Sequence, residues 1–247
     1  MGLRILLLVC VLLMFAGHSF AQDDVALLRQ DEYTMPEVDG EDTDPELNRY
    51  DLFNTLLGGD SLRTCNGFPC SGWVEDRYPD GSLKHRGMYA DGQLVVYRNY
   101  HPNGTLERDF KALDAVKCQM RTYHANSQLK SEARYANGLV FLYEDHYTNG
   151  ALRYAEERHR KEPYFIRMDL YSPKGEPISL LRLVDRKRVK FELTDYHPGG
   201  SLRSTGHAQY DQRRMDTQRI GTWKHYFPDG TLEREEDYVG GRVHAVR

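Results

Sequence analysis

The sequence predicts an all-β protein, with tandem β-hairpins laid side by side in an elongated, twisted antiparallel sheet behind one short N-terminal helix. Three observations predict this. A glycine-centred turn motif recurs seven times, apolar residues keep fixed offsets from it, and Asp/Asn-Gly turns of a second kind fall between its copies. Periodicity of this order comes before any single motif, because it changes what each motif means.

The repeated motif takes the forms RYPDGSL, YHPNGTL, YHANSQL, HYTNGAL, YSPKGEP, YHPGGSL and YFPDGTL. Its anchors are Gly81, Gly104, Ser127, Gly150, Gly175, Gly200 and Gly230, spaced by 23, 23, 23, 25, 25 and 30 residues. Two positions after the anchor come Leu83, Leu106, Leu129, Leu152, Pro177, Leu202 and Leu232. Seven before it come Val74, Tyr97, Met120, Tyr143, Met168, Leu193 and Trp223. The second turns are Tyr89-Ala90-Asp91-Gly92, Tyr135-Ala136-Asn137-Gly138 and Tyr238-Val239-Gly240-Gly241. Glycine supplies the positive φ such turns need, and Asn or Asp before it tolerates the left-handed region. Removing about four residues per turn from one unit leaves two strands of roughly seven residues, a usual strand length. A lone hairpin is marginal, so neighbouring units must bury the apolar slots, Leu106 included, in one shared core. Residues 211–219 read as a polar insertion before the last hairpin. The five bases Arg182, Arg186, Lys187, Arg188 and Lys190 form a loop or a basic strand face and, with Trp223, a candidate binding surface.

Three segments are expected in chain order: 1–21, 22–64 and the repeat domain 65–247. The first reads as a secretory signal peptide, with Arg4, an apolar run over residues 5–15, and the small-x-small site Ser19-Phe20-Ala21. The protein is therefore expected to be exported, either to a periplasm or out of the cell. Residues 22–64 hold 12 acids and 3 bases, whereas residues 65–247 hold 25 and 29, so an acidic arm precedes a mildly basic domain. Residues 29–44 of the arm read as linker. A helix is expected near 45–57, with Asp44 as cap, Pro45 at its first position, and Leu47, Tyr50, Phe53, Leu56 and Leu57 recurring every three or four residues before Gly58-Gly59. Its apolar stripe is expected to cap the open end of the sheet and cover an edge strand, the alternative being a partner-binding helix. In an exported chain Cys65 and Cys70 are a candidate disulfide closing a tight loop, which leaves Cys118 over.

The motifs of common catalytic sites are missing: no H-E-x-x-H, phosphate loop, G-x-S-x-G or dinucleotide fingerprint occurs. Nothing calls for a cofactor. His101, His124 and His197 share one repeat slot, three before the anchor, that holds Tyr78, Tyr147 and Phe227 elsewhere. Equivalent slots in successive hairpins lie two strands, about 9–10 Å, apart. Metal ligands must converge to about 2 Å from one ion, so the ladder reads as aromatic packing. Export and the modest charge of the repeat domain argue against nucleic acid.

The pattern Y-x-x-N-G-x-L with Y-x-N-G and G-x-W-x-x-Y, the last as Gly221-Thr222-Trp223-Lys224-His225-Tyr226, resembles the MORN-repeat variant over about residues 72–243. That family includes bacterial members carrying an antitoxin-like label. The resemblance implies scaffolding, protein binding and, in some members, contact with lipid headgroups. Two functions are therefore expected in competition. One is a non-catalytic scaffold that binds another protein through a sheet face or edge. The other is a module for small ligands, lipid headgroups or envelope polysaccharide, built on exposed aromatic rows.

Overall fold

The computed structural model describes residues 44–247; the expected signal peptide and residues 22–43 of the arm lie outside the described residues. The expected helix is a pair of 3-10 segments, Pro45–Phe53 and Thr55–Leu57. Asp44 caps the first by accepting the Glu46 N–H, and Asn54 caps the second by accepting the Leu56 N–H. A two-stranded ribbon follows, β1 (Thr64–Cys65) and β2 (Phe68–Pro69). The next strands are β3 (Gly72–Arg77), β4 (Leu83–Ala90), β5 (Gln93–Tyr100), β6 (Leu106–Ala112), β7 (Lys117–Tyr123), β8 (Leu129–Ala136) and β9 (Leu139–His146). Then come β10 (Leu152–Arg158), β11 (Phe165–Tyr171), β12 (Pro177–Asp185), β13 (Lys190–Tyr196), β14 (Leu202–Asp211), β15 (Asp216–Tyr226), β16 (Leu232–Val239) and β17 (Arg242–Val246). Strands β3 to β17 form one open antiparallel sheet whose spatial order is the chain order, with β3 and β17 at its edges.

All seven anchor turns close in the same way. The N–H three before the anchor bonds the carbonyl one after it, and the anchor N–H returns to the carbonyl three before, as in His101 N–H to Thr105 (2.8 Å) and Gly104 N–H to His101 (2.8 Å). In six of the seven turns only the anchor has a positive φ, +81° in Gly104 and +68° in Ser127; in the sixth, Gly199 before the anchor has one as well. Ser127 thus holds the turn geometry without being glycine. The Asn or Asp before the anchor is therefore present for hydrogen bonding, not for a left-handed backbone. Asn103 Oδ1 accepts from Thr105 N–H (3.0 Å) and Oγ1 (2.7 Å), and Asp80 and Asp229 do the same for Ser82 and Thr231. In the second turns both central residues are left-handed, as in Asp91-Gly92 and Asn137-Gly138, which is the primed geometry suited to strand twist.

Each anchor turn also shifts register, so one residue bulges out of the ladder. The seven residues at the −7 slot lie directly opposite Gly87, Phe110, Ala133, Glu156, Leu181, Gly206 and Glu236, all on one apolar face. The leucines at +2 do not join them. Leu106 pairs with Tyr100, three residues from Tyr97, and strand alternation puts that pair on the opposite face. Leu106 is accordingly half-buried and Leu232 is exposed, so the shared-core expectation for this slot is corrected. Residues 211–219 are not an insertion either. They lengthen β14 and β15 to 10 and 11 residues and leave only 212–215 as a turn.

Neighbouring units are tied along the anchor-turn edge. Side chains at the −3 slot donate to a carbonyl of the next unit: Tyr78 to Tyr100 (2.8 Å), His101 to Tyr123 (2.9 Å), His124 to His146 (3.1 Å), Tyr147 to Tyr171 (2.9 Å) and His197 to Tyr226 (2.8 Å). The histidine ladder is thus an inter-unit staple as well as packing. Asn103, Asn126 and Asn149 add a second row, donating to Ala125, Thr148 and Pro173. In the Asn103→Asp variant the turn cap survives and only the donor is lost, which should cost about 0.5–1 kcal/mol. Asn103→Ala loses both and should cost about 1–2 kcal/mol. Urea midpoints at constant slope measure the difference, and equal costs would show that capping contributes nothing.

Candidate binding face

The apolar face is roofed over part of its span by the chain's own 3-10 segments, whose contacts run from β3 to β8. Leu47 and Tyr50 are fully buried there with Tyr89, Tyr97 and Phe110, and Leu56, Leu57 and Tyr135 pack against the same cluster. Burying each such side chain is worth about 1.5–3 kcal/mol. The roof covers the edge strand β3, where Tyr50 donates to Asp76 and Val74 packs against the cluster, and extends inward from that edge over the −7 row as far as β8.

Polar groups under the roof are matched in pairs. Tyr50 stacks on His85 with centroids 3.7 Å apart and donates to Asp76 (2.6 Å), which Arg63 holds in two bonds of 2.7 and 2.8 Å. Burial pushes the Asp76 carboxyl up, but the Arg63 and Tyr50 bonds outweigh it and hold the group below its ordinary range. Asp51 lies between the Tyr97 hydroxyl and Arg108, which also reaches Asn48 (2.9 Å). Lys84, the bulged residue of its turn, is turned onto the roof and bonds Asp44 (2.9 Å) and Glu46 (2.7 Å). His85 meets the Asn99 side-chain oxygen at Nδ1 (2.8 Å) and the Tyr89 hydroxyl at Nε2 (3.0 Å), an arrangement that suits the neutral ring. Burial pushes its pKa down to about 4.

Beyond β8 the same rows continue without a helical cover among the described residues. Tyr143, Met168 and Leu170 are half-buried, Leu181 and Leu193 are buried by their neighbours, and Glu156 and Glu236 hold Tyr154 and Tyr238 by hydrogen bonds of 2.8 Å. Asp195 accepts from Ser179 (2.7 Å) and Ser204 (2.9 Å) on the same face. The other face is polar, with cross-strand ion pairs such as Arg98–Asp109 (3.1 Å) and Arg121–Glu132 (2.9 Å) that are largely solvated.

The structure does not assemble the predicted binding surface. Arg182 lies in β12 and, with Arg167, holds the buried Asp169. Arg186, Lys187 and Arg188 are exposed on the β12–β13 turn, which Asp185 organises by accepting the Lys187 and Arg188 N–H groups, and Lys190 begins β13. Trp223 is fully buried and therefore offers no surface, a correction. Its indole lies under Arg219 (4.1 Å), donates to His207 (3.0 Å), and needs Gly206 opposite because a Cβ there would fall inside the ring. Cys65 and Cys70 are disulfide-bonded, with Cα atoms 5.0 Å apart, and their loop is tied to the β4–β5 turn through Gly92. Cys118 is free, buried beside the second 3-10 segment, and burial pushes its thiol up to about 11. No group of three or more His, Cys, Asp or Glu placed to hold a metal ion occurs among the described residues.

A cavity of about 640 Å³ opens beside the roof, between the β8–β9 turn and the β10–β11 loop. Its lining includes Phe141, Tyr143, Arg158, Arg160 and Tyr164. Sequence reasoning missed it. The signal was the run Arg158-His159-Arg160-Lys161 followed by Tyr164-Phe165, in the first unit whose spacing stretches from 23 to 25 residues.

The family model of the MORN repeat variant matches residues 119–137 and 219–239, which cover parts of β7–β8 and β15–β16. No curated protein matches the chain. A crystal structure of a protein of unknown function from Bacteroides fragilis NCTC 9343 is 12% identical over 68% of this chain and 93% of its own, at a TM-score of 0.13 that supports no conclusion.

Two outcomes test the roof. A buried base with a lowered pKa binds fewer protons folded than unfolded, so His85 contributes stability that is complete above pH 6.5 and is lost as pH falls towards 4. The loss should reach roughly 3 kcal/mol, measured by urea unfolding across that window, and His85→Gln should flatten it. In Asp51→Ala, the buried Arg108 loses its 2.7 Å ion pair and keeps Asn48 (2.9 Å) and Glu107 (3.5 Å), which should cost about 2–3 kcal/mol. Adding Arg108→Met should recover part of that loss, and an additive double variant would show that the two do not interact.

Proposed function

We propose, from the match of residues 119–137 and 219–239 to the MORN repeat variant, an exported scaffold that binds a partner protein on the part of its apolar face left uncovered among the described residues. Proteins of this kind are generally non-catalytic repeat modules. One observation carries the reading. The row that is fully buried at Tyr97 and Phe110, under the chain's own segment, continues to Tyr143 and Met168, which are half-buried with no helix above them among the described residues. A surface that seats one peptide segment through buried leucine and tyrosine can seat another.

The polysaccharide or lipid-headgroup alternative needs rows of free aromatic rings. Trp223 is buried, and Tyr143, Tyr154 and Tyr238 are half-buried and bonded to carboxylates, which favours a protein partner. Export rests on residues 1–21, and the Cys65–Cys70 disulfide supports an oxidising compartment.

A photo-crosslinking residue at Met168, in the exported protein within its native envelope, should capture one discrete protein. The same residue at Lys111, on the polar face, should capture none, and Leu181→Asp should abolish the Met168 product. Recovery of only polysaccharide or lipid, or equal capture from both faces, would remove the scaffold reading.

A further inference from the structure

We propose that the cavity beside the roof is the specificity pocket of this face and takes an acidic segment of the partner protein that carries a leucine or aromatic side chain next to its carboxylate. The inference rests on the protein-binding reading above and names the chemistry of the segment bound.

The cations of the pocket are preorganised. Arg158 lies over Phe165 at 4.3 Å and Arg160 over Phe141 at 4.9 Å; Arg158 also pairs with Glu156 (3.4 Å), so Arg160 is the stacked cation left to meet a ligand. Arg160 and Lys161 have no carboxylate in ion-pair range among the described residues. Of the acids lining the cavity, Glu156 is already engaged by Tyr154 (2.8 Å) and Arg158 (3.4 Å). Glu162 also lines the cavity without an ion pair to Arg160 or Lys161, and its N–H bonds His159 Nδ1 (3.1 Å). His159 also stacks on Tyr164 (4.9 Å), and Tyr164 rests on Phe191 and Tyr210, so the loop is braced against β13 and β14.

The apolar half of the ligand follows from Leu139, Phe141 and Phe165, which line the same space and leave Leu139 72% exposed. The volume falls within the range of sites that enclose a few side chains. The occupant class is indicated by the molecule itself. On β5 and β6 of the same face the roof seats Asp51 between the Tyr97 hydroxyl and Arg108 (2.7 Å) while Leu47 and Tyr50 bury beside it. The roof ends against Tyr135 of β8, and the cavity begins on the β8–β9 hairpin, so the two lie side by side on one continuous face. A bare anion would leave the apolar wall wet, and an uncharged peptide would leave Arg160 unpaired.

The test uses the full chain and a fluorescein-labelled peptide, DLFEDLFE, with its amide twin NLFQNLFQ, followed by fluorescence anisotropy. The acidic peptide should bind and the twin should not. Arg160→Met, which keeps the apolar stem, should weaken binding about tenfold or more at an unchanged thermal midpoint. Excess inorganic phosphate or a uronate oligosaccharide should fail to displace the peptide. Unchanged binding to Arg160→Met, binding of the twin, or displacement by either small anion would overturn the proposal. Capture at Met168 separates the two readings. If capture persists while the peptide arm fails, the face stands and the pocket falls; if capture fails while Arg160-dependent binding persists, the face reading falls.

Discussion

The left-handed residue at each anchor turn governs everything that follows in this chain. It closes a hairpin with one residue more than the ladder can pair, and the surplus is taken up as a bulge on the outgoing strand. Bulging strengthens the local twist and re-aims the bulged side chain, which is how Lys84 comes to face the roof and Arg153 to reach Asp145. Because the register shift repeats in all seven hairpins, the −7 residue always meets the +6 residue across the strand pair. Side-chain parity is then the same in every unit, and one apolar row runs the breadth of the sheet. Ser127 shows that the constraint is conformational, since it keeps the turn bonds at φ +68°.

A sheet with one apolar face must cover it, and this chain covers part of it with residues 45–57. The roof is held by apolar burial and by clusters in which a tyrosine hydroxyl and an arginine share one carboxylate. In Tyr50–Asp76–Arg63 and Tyr97–Asp51–Arg108 the members come from both roof and sheet, so the clusters fix the register of one on the other. Such buried pairs add little net stability but make any misplacement costly, because a shifted segment takes Asp51 and Asn48 from Arg108 and leaves it only Glu107. His85 adds a second demand. Its neutral ring is the floor for Tyr50, so docking selects the unprotonated state.

The repeat, its strands and its turns were legible because glycine anchors and apolar slots leave a fixed period in the sequence. What escaped was parity. Leu106 looks like a core residue by type and recurrence, yet it pairs with Tyr100 on the far face, and only the register reveals that. Trp223 looked like a surface anchor because tryptophan is rare here and sits beside Gly221. The residue that buries it, Gly206, lies on the neighbouring strand with no local signature. The roof's existence was legible from Asp44, Pro45 and its apolar spacing, but its reach inward from the edge strand to β8 was not. The histidine ladder was legible as a repeat slot, while its bonds to the next unit depend on inter-strand geometry. The pocket cations were visible as a run, and their pairing with Phe141 and Phe165 was not, since Phe141 belongs to another hairpin.

The clusters change character beyond the roof, and that change bears on what the open part of the face can do. Tyr143–Asp145–Arg153, Tyr154–Glu156–Arg158 and Tyr238–Glu236–Arg234 are built wholly within the sheet. Their polar tips are already satisfied, so a segment laid over them meets ring faces and methylenes without having to supply partners for buried hydroxyls. Apolar burial can then provide affinity with little desolvation penalty, but it cannot select, because leucine suits any such surface. Selection requires a group left unsatisfied until the right ligand arrives. Along the open face the place where stacked guanidinium edges remain free is the loop that carries Arg160, where the repeat period first lengthens and the regular pattern gives way.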